Sequence, residues 1–214
     1  MQMSRLILCA AAVVAQAQHP VLVTGTLATK QGRPESARVG SVVARKVDLA
    51  QVSGAEAVLL LQSGDEVRLP CSVSWLEGQG PERQAIWRFS VPDLPPLKRI
   101  IIQAEGKELG RIQQGGKVQT PQMDFIATGQ GDELSVAYSL KQPLLPGSSS
   151  MWVRWSTDGG ATWDAKGSLL DQEDTHGTVD LDALAKVPEG KLVLEFWVLQ
   201  GLTLDRLKYV VKRS

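Results

Sequence analysis

The sequence predicts an all-β chain, two β-sandwich domains in tandem behind a cleavable signal peptide. Three observations predict it. Apolar residues recur at every second position along many short segments, which is the period of a half-buried strand. Clusters of Gly, Pro, Asp and Ser break these segments at the places where turns are needed. No stretch carries the 3.6-residue apolar spacing of a convincing amphipathic helix.

The N-terminus reads as a three-part export signal over residues 1–17. Arg5 supplies a short positive start, Leu6 to Val14 is an apolar run too short to span a bilayer, and Ala15-Gln16-Ala17 is a small-x-small site. Cleavage is expected before Gln18, which places the mature chain in a periplasm or outside the cell. Cys9 follows Leu8, where a lipobox requires a small side chain, so no lipid anchor is expected. Cleavage leaves Cys71 as the one cysteine, which excludes an internal disulfide. The alternation Val67, Leu69, Cys71, Val73, Trp75 turns that thiol inward as a small hydrophobe. No second apolar run is long enough for a membrane span.

The first domain is assigned to residues 18–113. Its expected strands are Val21–Ala28, Val39–Asp48, Ala57–Gln62, Glu66–Trp75, Ala85–Val91, Arg99–Ala104 and Glu108–Gln113. A polar linker with two glycines and a closing proline follows at 114–121. The second domain occupies 122–214. Its expected strands are Met123–Thr128, Glu133–Lys141, Met151–Ser156, Ala161–Ala165, Thr178–Leu181, Leu192–Leu199 and Leu204–Lys212, with one helical turn at Asp182 to Lys186. The halves echo each other weakly. Val73-Ser-Trp75 with Gly80 matches Val153-Arg-Trp155 with Gly160, and Gly106, Leu109, Arg111, Ile112 match Gly201, Leu204, Arg206, Leu207.

Lys+Arg and Asp+Glu are both 23, with no basic block. Nucleic acid and anionic membranes, which need a positive field, are therefore not expected as partners. The two histidines, His19 and His176, do not suffice for a metal set, and the acidic loop from Asp171 to His176 has the spacing of no known calcium loop. Acidic pairs such as Asp180 and Asp182 share a strand face, but glycosidase chemistry needs carboxyls facing across a cleft. No phosphate loop, zinc motif or nucleophile elbow occurs. Catalysis, metals and cofactors are not expected.

One turn is specific. Ser156-Thr-Asp158-Gly-Gly160-Ala-Thr162-Trp163 resembles the Asp-box hairpin of sialidase propellers at all its defining positions. The resemblance implies a structural turn: Asp158 accepting backbone N–H groups, the glycines allowing positive φ, Trp163 covering the hairpin base. A propeller needs several copies, and the chain has one. Residues 121–214 also resemble a fibronectin type III or related immunoglobulin-like domain, and seven strands per half suits that sandwich. Val179 to Gly190 and then Leu192 to Leu199 look like the E strand, the E–F corner and the F strand, without the corner tyrosine.

Six tryptophans are many for this length. With Val153 and Trp155 facing the core, Trp152 and Arg154 face out. With Leu192, Leu194, Phe196 and Val198 facing in, Glu195 and Trp197 face out. In an immunoglobulin-like sandwich these strands are neighbours, so Trp152, Arg154, Glu195 and Trp197 form one outer patch. Such a patch suits a protein partner, a covering domain or a glycan. The expected function is a non-catalytic exported module for protein contact or an accessory role. A carbohydrate-binding module using the outer tryptophans is the alternative, and a sialidase-type hydrolase is the remote one.

Overall fold

The computed structural model describes residues 20–44, 54–77, 81–116, 118–130, 132–145, 149–164, 167–170 and 175–212. The expected signal peptide, with Cys9 and His19, lies outside the described residues, as do residues 171–174 of the acidic loop.

The chain is all-β. The described strands are β1 Val21–Lys30, β2 Arg33–Ala44, β3 Ala55–Leu61, β4 Glu66–Trp75, β5 Glu82–Val91, β6 Leu97–Ala104 and β7 Lys107–Gln113 in the first half. The second half contains β8 Met123–Gln130, β9 Glu133–Leu140, β10 Ser149–Ser156, β11 Ser168–Leu170, β12 His176–Asp180, β13 Val193–Gln200 and β14 Thr203–Val210. Among the described residues no helix is long and apolar enough to cross a membrane. A 3-10 turn at Asp182–Leu184 stands where a helical turn was expected.

Strands β1 to β7 form one continuous sheet in the order β2-β1-β5-β4-β3-β6-β7. The sheet folds over on itself, so its two edge strands β2 and β7 pack together. Leu27, Trp87, Phe89, Leu59, Leu97, Ile100 and Ile102 fill the space between the layers. Gly25 on β1 makes room for Trp87, because a Cβ there would overlap both the indole and the Arg38 carbonyl. The two-residue turns Gln31-Gly32 and Glu105-Gly106 have positive φ throughout, the geometry that matches strand twist in tight hairpins.

Strands β8 to β14 form a sandwich of two sheets, β12-β9-β8 against β11-β10-β13-β14. Val136, Tyr138, Met151, Val153, Leu194, Phe196 and Val198 fill its core. The rings of Phe125 and Phe196 lie 4.9 Å apart, and those of Phe125 and Tyr209 4.7 Å.

Sequence and structure part in three places. Arg33 to Ser36 is polar and was not read as strand, yet it continues β2 as the exposed arm of the β1–β2 hairpin. The expected strand at Ala161–Ala165 does not form at its described positions 161–164, because the preceding turn's side chains take the N–H groups of Gly160 and Thr162. The short strand pairing β10 is Ser168–Leu170 instead. Of the positions matched in the internal repeat, Gly80 lies outside the described residues. Gly106 and Gly201 both turn the hairpin that follows an inner strand. Val73–Trp75, however, lies on β4, whereas the strand that pairs β6 as β10 pairs β13 is β3.

Cys71 is buried, and desolvation pushes its thiol up to about 12. It is a packing residue with no thiolate at neutral pH.

Candidate functional site

The four outer residues meet as their alternation requires. Strand β10 pairs β13 antiparallel, with Trp152 opposite Trp197 and Arg154 opposite Glu195. The two indoles touch edge to face, with centroids 5.2 Å apart at 74°. The guanidinium of Arg154 donates from Nε to Glu195 Oε2 at 2.6 Å, and its Nη2 lies 2.6 Å from the same oxygen. Trp197 Nε1 donates to that oxygen at 2.7 Å. Lys208 Nζ stands 3.9 Å from the other carboxylate oxygen.

Of the covers that the outer patch suits, the structure supplies the neighbouring half. Trp152, Arg154, Glu195 and Trp197 are 4%, 3%, 3% and 2% exposed. Strand β2 of the first half packs on β10 and β13. Trp152, Trp197, Leu199 and Leu202 belong to the same core cluster as Trp87 and Phe89. The physical reason is the area involved: two indoles flanked by Leu199 and Leu204 make an apolar face too large to leave in water beside a neighbouring half. The sheet β11-β10-β13-β14 is thus a middle layer with a core on each side, and all eight residues of β13 are buried. The sequence carried this signal. Val193, Trp197 and Leu199 are apolar in the phase read as outward, and a strand apolar in both phases is one covered on both faces.

The Ser156–Trp163 turn adds to this cluster. Ser156 Oγ donates to Asp158 Oδ1 at 2.7 Å and accepts from Gly160 N at 2.8 Å. Asp158 accepts from Thr162 N at 2.9 and 3.0 Å and from Thr162 Oγ1 at 2.7 Å. Asp164 N then donates to Trp155 O at 2.8 Å. The turn folds Trp163 back over the sheet, where Arg154 lies 4.7 Å and Lys208 5.3 Å from its ring. Arg154 is also 4.9 Å from the Trp197 ring, and Arg206 covers that ring at 4.4 Å. Burial lowers the pKa of Arg154 from its ordinary value, and Glu195 opposes the shift.

Asp158 is held well below the usual carboxylate range, chiefly by the Thr162 N–H, then by the hydroxyls of Ser156 and Thr162. A depressed folded-state pKa adds stability above the unfolded value, near 3.8, and loses it as pH falls toward the folded one. Asp158→Asn should therefore flatten the acid limb of stability below about pH 5. Thermal melts of wild type and variant across that range check it, and parallel profiles would count against the turn as an acid-sensitive element.

Other candidates resolve into structural roles. Asp180 Oδ1 accepts from Asp182 N at 3.1 Å, and Asp182 Oδ1 accepts from Leu134 N at 2.6 Å. Asp182 thus opens the 3-10 turn and does not share a strand face with Asp180. His176 is exposed on β12. Among the described residues no group of three or more His, Cys, Asp or Glu is placed to hold a metal. A polar depression of about 340 Å³ lies where the connecting segment meets the β9–β10 loop, lined by Gln119, Thr120, Lys141, Leu144 and Gln200 among others. It offers amides and a hydroxyl and gathers no nucleophile with a base.

Comparison with known proteins is sparse. No family model matches the chain, and no curated protein does. Among solved structures it is similar to a segment of two fibronectin type-III domains from chicken tenascin, at 14% identity and a TM-score of 0.32, covering 90% of this chain and 98% of that one.

Proposed function

We propose that this chain is a non-catalytic exported module, built from a β-sandwich pair that acts through protein contact or as an accessory subunit. One observation carries the reading. Among the described residues, the Arg154–Glu195 ion pair with Trp152 and Trp197 is buried, and both indoles pack in the core shared with the other half. Groups that could bind or react are committed to holding the architecture. The division into residues 18–113, 114–121 and 122–214 is part of the reading. Its support is that, among the described residues, no sheet contains strands from both β1 to β7 and β8 to β14. A fibronectin type III-like second half is supported by three strands stacked on four, with β10 beside β13. The Asp-box reading of the turn is supported by the convergence of Ser156 and Thr162 on Asp158. Glycan binding on the tryptophans would require the two halves to part.

Three measurements test the proposal. N-terminal sequencing of the exported product is expected to begin at Gln18. The purified mature chain is expected to turn over no fluorogenic glycoside, sialosides included. Site-specific photo-crosslinkers placed at the exposed Ile126 and Val210 in the native envelope should yield discrete protein adducts. Reproducible turnover by the wild-type chain would overturn the non-catalytic reading.

A further inference from the structure

We propose that the stack Lys208–Trp163–Arg154–Trp197–Arg206 is a clamp fixing the angle between the two halves, with Glu195 as its centre and the Arg206–Asp93 ion pair as its latch. The clamp goes beyond the contact role proposed above and does not depend on what the module binds.

The geometry argues for it in steps. Cations and rings alternate along one sheet face at 5.3, 4.7, 4.9 and 4.4 Å, each within the range of cation–π attraction. Strand β14 is an edge of its sheet, so Arg206 and Lys208 could point into water. Arg206 instead lies over the Trp197 ring, three-quarters buried, while the exposed Lys208 reaches across the Trp163 ring. Arg206 also forms an ion pair with Asp93, which sits between β5 and β6 of the first half. The last rung of the stack is thereby tied to the other half.

The connecting segment reinforces the tie. Leu202 N donates to Gln114 Oε1 at 2.6 Å, and Gln200 Nε2 donates to Gln119 O at 3.1 Å. A Cβ on Gly201 would approach Gln114 Oε1 to 2.9 Å, so the segment lies tight against the β13–β14 turn. A purely apolar contact between the halves would tolerate sliding. The Arg206–Asp93 ion pair and the bonds to Gln114 and Gln119 oppose such sliding, while Glu195, by accepting from Arg154 and Trp197 within the second half, holds the Trp197 ring that packs in the shared core beneath Arg206.

The test measures the angle itself. In the full mature chain, Glu35→Cys and Thr178→Cys place one spin label on each half at exposed positions, while buried Cys71 stays unlabelled. Double electron–electron resonance is expected to give one narrow distance distribution. Asp93→Ala with Arg206→Ala should broaden it, and Glu195→Ala should abolish the narrow peak. If Glu195→Ala yields no folded protein, the Asp93→Ala, Arg206→Ala pair decides alone. A wild-type distribution already broad, or one whose width the latch variants leave unchanged, overturns the clamp. Neither outcome depends on the crosslinking or turnover results.

Discussion

Replacing Glu195 with alanine is expected to lower the unfolding free energy by about 3–5 kcal/mol, the range for stripping one partner from a buried ion pair. The carboxylate is the shared acceptor of Arg154 and of the Trp197 indole. Without it, a guanidinium that is 3% exposed keeps its charge with no counter-ion, and a buried N–H loses its acceptor. The two losses fall on one spot and add to the desolvation already visible in the lowered pKa of Arg154. Replacing both members by apolar residues of similar volume, Arg154→Met with Glu195→Leu, should cost far less, because no orphaned charge remains. Urea unfolding of the three proteins, followed by tryptophan fluorescence and circular dichroism together, separates the cases. A single and a double variant of equal stability would show that the pair is not the energetic centre of this layer.

A comparable loss, about 3–5 kcal/mol, is expected for Trp87→Ala in the other core. The indole is fully buried, lies parallel to Phe89 at 5.8 Å and 9°, and donates to the Thr26 carbonyl at 3.2 Å. Its place is moulded by Gly25, where a Cβ would overlap the ring. Gly25→Ala should be destabilising by the opposite route, through overpacking. The double variant Gly25→Ala, Trp87→Ala should be less damaged than the sum of the two, since removing the indole relieves one of the two overlaps and leaves that with the Arg38 carbonyl. Denaturant midpoints for the three proteins decide this, and strict additivity would mean that the two positions do not share a cavity.

Much of the architecture was legible because strand alternation reads directly as side-chain direction. The span Glu66–Trp75 and the inward turn of Cys71 follow from it, as does the shared face of Trp152, Arg154, Glu195 and Trp197. What alternation cannot give is the environment of a face. It says which residues point away from one core and is silent on whether a second core waits there. The doubled apolar phase of β13 is the clue to that second core, although Arg154 and Glu195 carry charges on the same face. Those charges are buried because they neutralise each other, a pairing visible only once the register is known. The turn after Ser156 shows a second limit. Its residues were identified, yet the same side-chain bonds that define it deny its return arm the ladder expected of a strand.

The double burial of β13 bears on how this chain could have been assembled by recombination. A β-sandwich covered by its own surface polar groups can be shuffled between genes as a cassette. The second half here cannot: taken alone, it would carry Trp152, Trp197, Leu199 and Leu202 as a bare, adhesive wall. Changes in β2 are therefore answerable to a strand that begins about 150 residues further along.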